Sequence, residues 1–294
     1  PGTRPIPGLG NVYQFQSEGI YRQNQLFVQG TIRAGAKLTL FSYYTLTYAN
    51  SDTSSPTSFP SNPRDLLLDY GRAPFDIRNR YFLGGTIGLP RNFRLSPFMI
   101  VSSGTPYNIT LSQDLIGSAQ FNQRPAFANG AVGPTVVTVP GIGSFNTVPA
   151  QNAALIPADI LTGPDRFTLN LRLSKTFGFG GESARSGAQP GGGGGGGRGG
   201  GGRGPGGPFG GGGGGLFAGG GTNQRYNVTF SVNARNVLNR VNVATPNAFL
   251  SPPTTELPQA SASPFFAIPN QLAGGSFSTT NANRQIFLQA MFSF

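Results

Sequence analysis

Residues 166–179 read RFTLNLRLSKTFGF, and this stretch decides the fold class. Apolar and polar side chains alternate along it, with Lys175 as the exception. A side-chain period of two places the two sets on opposite faces of a β-strand. The apolar set is Phe167, Leu169, Leu171, Leu173, Phe177 and Phe179; the polar set is Arg166, Thr168, Asn170, Arg172, Ser174 and Thr176. The stretch therefore predicts a long strand with one apolar face and one polar face.

The same alternation recurs elsewhere in the chain. It is strong over residues 225–238 and over residues 284–294, and it is noisier in the N-terminal half. There we predict strands at 25–34 and 37–50 joined by a tight turn, strands at 78–89 and 93–103 joined across residues 90–92, and a short strand at 12–16. The total is about seven or eight strands, each near the ten residues that a tilted membrane strand needs.

Connections between these strands alternate between short and long. The long ones cover residues 51–76, 105–165, 180–224 and 239–283. Long loops with short turns between them are typical of outer-membrane barrels and unusual in compact soluble domains. Residues 180–223 are a Gly-rich, low-complexity segment, which we interpret as a surface loop within a single barrel region spanning residues 1–294.

The composition excludes several classes of function. Only 11% of residues are charged, well under the usual quarter, while Phe (24) and Tyr (9) are abundant. The chain has no Cys and no His, which removes thiol nucleophiles, His or Cys metal sites and the commonest general base. We therefore predict no enzyme activity, no cofactor and no metal site, and we expect Asp52, Asp65 and Asp69 to be solvated loop carboxylates. The net charge of +11 is spread without basic runs, so nucleic acid is not a predicted partner.

The two strand faces suit a membrane wall. Amides, hydroxyls and Arg on the polar faces fit a wet lumen, and large apolar residues fit lipid. Aromatic residues cluster near strand ends, as interfacial girdles do; the predicted members are Tyr43, Tyr44, Tyr48, Phe177 and Phe179. Because every backbone N–H and C=O must be paired in lipid, such strands need a closed barrel. We predict an all-β, antiparallel transmembrane β-barrel in the bacterial outer membrane, either small or one sector of a larger barrel.

Several short motifs occur in a specific order. They are DYGRAPFDIRNR at 69–80, LSPF at 95–98, SSGTPYNIT at 102–110, RPAF at 124–127, NLRLSKTF at 170–177 and NARNVLN at 233–239, followed by an aromatic C-terminal residue. In these motifs the chain resembles the C-terminal barrel region of TonB-dependent outer-membrane receptors, in particular Oar-like receptors with a carboxypeptidase-regulatory-like N-terminal domain.

This resemblance implies active uptake of an unidentified substrate through a barrel with more strands than this chain supplies. It also implies a plug and a TonB-contacting segment outside the chain, upstream of it. The implied partners are outer-membrane lipid, the barrel-assembly machinery, the TonB system and the transported substrate. Family members often carry an acidic stretch before the RPA motif. Here only Asp114 and Asn122 keep oxygen-ligand character there, so we predict no Ca²⁺ site.

Two groups of residues are candidate sites. The apolar row of the last strand, interpreted either as an assembly signal or as an ordinary terminal strand, is Ile286, Leu288, Ala290, Phe292 and Phe294. Four arginines share the predicted lumen face, where they either line a path for an anionic substrate or pair with lumen carboxylates: Arg166, Arg172, Arg225 and Arg235. Two other functions stay open: a passive porin-like barrel, and a Gly-rich surface adhesin or structural interaction protein.

Overall fold

A computed structural model of the chain describes residues 10, 12–35, 37–55, 57–150, 153–182, 222, 224–274 and 282–293. Its main element is a sheet in which seven long strands, numbered β1–β7 in chain order, pair antiparallel with their chain neighbours. The strands are Tyr21–Ala34 (β1), Leu38–Ser51 (β2), Asn79–Leu89 (β3), Phe93–Ser102 (β4), Arg166–Glu182 (β5), Gln224–Arg235 (β6) and Gln285–Ser293 (β7). Every long strand predicted from the alternation is present.

The predicted short strand at 12–16 is wrong. Residues 12–20 contain no strand, and Val12 and Phe15 are exposed. A strand needs a neighbour to satisfy its backbone groups. This segment instead makes isolated contacts: the ring of Tyr13 lies 4.8 Å from that of Phe59, Ile20 N donates to Asp52 Oδ1 (2.8 Å) and Asp52 N donates to Ile20 O (3.2 Å).

Tight turns join strands at one end of the sheet, which we call the turn end. β1 and β2 pair without interruption from Tyr21 opposite Ser51 to Ala34 opposite Leu38, and Gly35 has the positive φ (56°) that a tight hairpin turn requires. β3 and β4 are joined by a 3₁₀ turn at Pro90–Asn92. At the opposite end, the loop end, the β2–β3, β4–β5 and β6–β7 connections are long.

The Gly-rich segment predicted at 180–223 lies mostly outside the described residues. Its first three residues belong to β5, which continues through Glu182, so the predicted start of the loop is wrong. Glu182 pairs with Gln224 of β6 across a register shift that follows Phe179. Both strands therefore meet this connection at the turn end.

The long connections at the loop end fold together into a second structure, the loop layer, comprising the described parts of residues 52–78, 103–165 and 236–274. Its core is a cluster of buried apolar residues that includes Ile109, Leu111, Phe145, Ile156 and Leu250. Ala248–Ser251 pairs in parallel with Ile109–Leu111, which joins the β6–β7 connection to the β4–β5 connection. The remaining short elements are Leu66–Asp69 (3₁₀), Gly71–Arg72, Pro106–Tyr107, Ala126–Phe127, Val136–Val139, Gly143–Asn146, Leu161–Thr162 and Ser261–Ala262.

β1 and β7 are the two edges of the sheet, and within the described residues they do not pair with each other. No helix in this part of the chain is long and apolar enough to cross a membrane.

Candidate functional site

The two faces of the sheet have opposite polarity and opposite exposure. On one face the polar side chains of Thr168, Thr229 and Ser231 are 3–4% exposed. On the other, Phe230 and Leu288 are 53% and 82% exposed. This pattern is inside-out relative to a soluble sandwich and matches a wall with lipid outside and a polar lumen inside. We call the shielded polar face the inward face and the apolar face the outward face.

Strand register places three of the four predicted lumen arginines on the inward face as a group. Arg166 lies opposite Ser102 of β4, Arg172 lies opposite Asn233 of β6, and Arg235 lies opposite Gln285 of β7. Arg225 is not grouped with them. It lies at the turn end of β6, beside the register shift in β5, with its guanidinium 5.5 Å from the ring of Tyr226.

On β3 and β4, two further inward arginines were not among the predicted site residues. Arg80 of β3 lies opposite Ser102, at the same level as Arg166, and Arg94 of β4 lies opposite Ser174 of β5. Both occupy strands whose alternation is noisier, so it is the observed strand pairing that places them on this face. Arg166 also reaches the loop layer, because its Nη2 donates to Thr245 Oγ1 (3.3 Å).

An aromatic cluster shares the inward face with these arginines. The ring of Phe82 (3% exposed) lies 5.2 Å from that of Tyr43, 5.1 Å from Phe41 and 5.3 Å from Phe98, and Tyr43 stacks on Phe27 at 5.5 Å. Tyr43 was predicted to belong to an interfacial girdle, and that prediction is wrong. It pairs with Phe82 on the inward face, because neighbouring residues of a strand point to opposite sides.

Outward aromatic residues do gather at the turn end. The rings of Phe179, Tyr226 and Phe292 lie 5.8–6.3 Å from one another across β5, β6 and β7. Near the loop end, outward Tyr48 lies under the guanidinium of Arg78 at 3.9 Å. These positions fit aromatic belts at the two lipid–water interfaces.

Asp76 ties the loop layer to the wall. It is fully buried, and its carboxylate accepts hydrogen bonds from Ala49 N of β2 (3.1 Å), Arg72 Nε (2.9 Å) and Arg78 Nη2 (3.1 Å). Arg72 also donates through Nη1 to Thr162 Oγ1 (2.7 Å), next to the start of β5. Breaking such a buried ion pair costs about 3–5 kcal/mol, so the loop layer is held rigidly at this junction.

Two aspartates expected to be solvated are instead held in place. Asp52 is 9% exposed. Asp69 accepts from Arg124 Nη2 (3.0 Å), from Ser61 N (2.6 Å) and from Ser61 Oγ (2.5 Å). Arg124, 2% exposed, also donates to Ile156 O (2.8 Å) and to Leu68 O. Sequence spacing could not reveal these partners, because folding brings them together from separate connections.

Asp159 belongs to the same junction. Burial raises its pKa to about 6; the charges of Arg124 and Arg72 act to lower the pKa, and that of Asp69 acts to raise it. Its backbone is left-handed (φ 51°), and its N–H donates to Asn108 Oδ1 (2.6 Å).

Asp114 binds its own loop. Burial acts to raise its pKa, but hydrogen bonds from the Gln123 side chain and from the N–H groups of Ala119, Ser118 and Ile116 outweigh burial and leave the pKa lowered. The carboxylate is thus occupied by N–H donors. Within the described residues, no cluster of three or more acidic side chains could hold a metal ion.

The terminal row faces outward along the β7 edge. Ile286, Leu288, Ala290 and Phe292 lie opposite the outward residues of β6, whereas Phe294 lies outside the described residues. The role of this row as an assembly signal stays a prediction.

An antiparallel wall with an apolar exterior, a polar interior and long connections at one end defines an outer-membrane β-barrel. The model of the family described as outer membrane beta barrel domain matches residues 2–187, and the chain belongs to that family. The protein is therefore located in the bacterial outer membrane. No curated protein and no solved structure shows significant similarity to the chain.

Proposed function

We propose that this barrel is part of a TonB-dependent receptor that takes up a substrate actively across the outer membrane. The observation that carries the proposal is the loop layer, which has its own hydrophobic core, is held together by buried ion pairs, and is joined to the wall by the hydrogen bond from Ala49 N to Asp76. A passive pore needs no such folded external surface, whereas a receptor needs a rigid one to recognise its substrate before transport.

The motifs that resemble the receptor family support the proposal, because several of them supply this junction. Asp69, Arg72, Asp76 and Arg78 belong to the first motif, and Arg124 begins the RPAF motif. Gly104 of the SSGTPYNIT motif packs so closely that an added Cβ would lie 1.8 Å from Gly163 O. On the proposed function, these motifs hold the substrate-binding surface over the lumen.

The experiment grows cells that produce the full-length protein in a complex medium, in strains with and without a functional tonB gene. Untargeted mass spectrometry of the medium then measures which solutes each strain depletes. We expect at least one solute to be depleted only when the protein and TonB are both present. Depletion that is independent of TonB would instead establish a passive pore. No depletion in any strain would favour an adhesin.

A matched pair of variants links uptake to the loop layer. Phe145→Ala removes a side chain that is 1% exposed in its core and should destabilise this layer by about 3–5 kcal/mol, which lowers uptake. Phe127→Ala removes a neighbouring ring that is 42% exposed and should leave uptake nearly unchanged. Heat-modifiable migration in detergent should be the same for both variants, because the wall is intact in each.

A further inference from the structure

We infer that the loop layer carries a binding site for a neutral carbohydrate, in a depression between two segments of the β6–β7 connection. This inference rests on the proposed function and names the class of substrate that the loop layer recognises. The depression has a volume of about 200 Å³. Its lining residues are Asn247, Phe249, Ser263, Phe265, Ile268 and Asn270.

Backbone hydrogen bonds hold the two segments against each other. Ser263 N donates to Phe249 O (3.0 Å), and Ala267 N donates to Asn247 O (2.9 Å). The second segment bends back through a turn at residues 264–267. The walls of the depression are therefore built on hydrogen-bonded backbone.

The core of the loop layer anchors the lining from behind. Ala248, Leu250 and Phe266 are buried in that core, and each is the sequence neighbour of a lining residue. Because neighbouring residues of a strand point to opposite sides, the burial of Ala248 and Leu250 turns Phe249 away from the core. The lining is thus organised before a ligand arrives, which lowers the entropic cost of binding.

Apolar side chains in the lining supply surfaces on which a sugar ring can stack. Phe249, Phe265 and Ile268 are large and yet exposed. Exposed apolar side chains that are grouped in this way mark binding surfaces. A pyranose ring carries C–H groups on its faces, and these pack well on the electron-rich face of an aromatic ring. The faces of a carbohydrate therefore match the two phenylalanine rings.

Amide and hydroxyl groups border the rings. The side chains of Asn247 and Asn270 each offer an acceptor oxygen and an NH₂ donor, which suits sugar hydroxyls because hydroxyls both donate and accept. Within the part of the chain that the structure describes, neither amide side chain has a hydrogen-bond partner, so both are available to a ligand. The Ser263 hydroxyl accepts from Phe265 N (3.3 Å) and keeps its own proton for donation.

The lining is uncharged throughout, which separates this site from one for an ionic solute. A charged group that leaves water without meeting a counter-charge loses hydration free energy and gains little in return. The depression, at about 200 Å³, is also smaller than the pockets of about 300–1,000 Å³ that enclose drug-sized ligands. We therefore expect it to hold a single ring of an oligosaccharide, with the rest of the ligand in solvent.

The strand beside the depression is already paired, which argues against a peptide ligand. Extended peptides commonly bind by adding a strand to a free sheet edge. Ala248–Ser251 pairs with Ile109–Leu111 on one side and with Ser261–Ala262 on the other. Both of its edges are therefore occupied, and recognition falls to the side chains of the lining.

The test applies the full-length protein, purified from outer membranes in a detergent without a sugar headgroup, to a microarray of neutral oligosaccharides and uncharged peptides. Isothermal titration calorimetry then measures the affinity of the oligosaccharide that binds best. We expect at least one oligosaccharide to bind, with an affinity that changes little as salt rises, because no ion pair forms. If no oligosaccharide binds, or if only peptides bind, the inference is overturned.

A matched pair of variants tests whether binding occurs at this depression. Phe265→Ala should weaken carbohydrate binding about tenfold, since a ring that contacts the sugar is lost. Phe121→Ala removes a ring from elsewhere in the loop layer and should leave affinity unchanged; the two rings are similarly exposed, at 61% and 60%. Equal losses in both variants would refute the site. Asn247→Ala repeats the test from the polar side if Phe265→Ala alters amide hydrogen exchange in the loop layer.

The inference and the proposed function can fail separately. Absent carbohydrate binding beside TonB-dependent solute depletion would overturn the carbohydrate site alone. Intact, Phe265-dependent binding beside TonB-independent depletion would leave the site and remove the active receptor.

Discussion

Asp159 shows how a single buried carboxyl group can make the junction between wall and loop layer sensitive to pH. Its folded pKa of about 6 exceeds the ordinary aspartate pKa of 3.8, so folding favours the neutral carboxyl group. The resulting stabilisation is complete below pH of about 4 and is lost as the pH rises through about 6. The difference corresponds to at most about 3 kcal/mol.

We therefore predict that the loop layer of the unmodified protein loses stability as the pH rises from 4 to 6. In the variant Asp159→Asn the stability of the loop layer should not change over this range. Asn keeps the neutral state and tolerates the left-handed backbone at this position. The measurement is amide hydrogen exchange in the loop layer, corrected for the intrinsic pH dependence of exchange. Asp65→Asn, at an exposed position in the same layer, is the control and should behave as the unmodified protein. An unchanged pH dependence in Asp159→Asn would assign the effect to another group.

At the scale of elements, the strands were predictable and the loop layer was not. β5, β6 and β7 follow from alternation, because the lipid face requires an apolar residue at every second position over many residues. The loop-layer core depends on segments such as Ile109–Leu111, three residues long, whose partner Ala248–Ser251 comes from another connection. No local period marks such a contact.

The sequence also cannot assign side chains to the inward or outward face of a strand when both faces carry aromatic rings, because no local pattern distinguishes the two faces. Tyr43 and Tyr44 are adjacent in β2, yet Tyr43 pairs with Phe82 on the inward face, and Tyr44 donates outward to Asn79 Oδ1 (2.7 Å). Only the register with β3 separates them. The inward Arg166, Arg172 and Arg235 were predictable because their strands have clean alternation, whereas Arg80 and Arg94 needed the pairing.

Strand direction predicts the side of the membrane on which the Gly-rich segment is tethered. β5 ends and β6 begins at the turn end, which is periplasmic in outer-membrane barrels. An epitope tag inserted after Gly201 should therefore bind antibody only in permeabilised cells. A tag inserted after Val132, which is 93% exposed in the loop layer, should bind antibody on intact cells. Surface labelling of the first tag would reverse this topology.

At the scale of the whole molecule, the number of strands constrains how the wall can close. Seven strands joined by antiparallel pairing leave β1 and β7 running in the same direction. Bacterial single-chain barrels close by antiparallel pairing and have an even number of strands. Direct pairing of β1 with β7 would be parallel, and a second copy in the same orientation would meet the same difficulty. Antiparallel closure therefore takes an odd number of strands beyond these seven.

Cross-linking tests this constraint cleanly, because the chain has no native Cys. Val232→Cys with Leu288→Cys places thiols on paired outward positions of β6 and β7, so a short bismaleimide should link them within one chain. Leu26→Cys, Val28→Cys or Ile32→Cys, each on the outward face of β1, should not be linked to Leu288→Cys by the same reagent. Mass spectrometry of the cross-linked peptides gives the yield of each pair. Efficient linkage between β1 and β7 would mean that the seven strands close through a parallel seam. The unpaired edges would then not be sites for further strands, and the 294-residue chain would be a barrel in its own right.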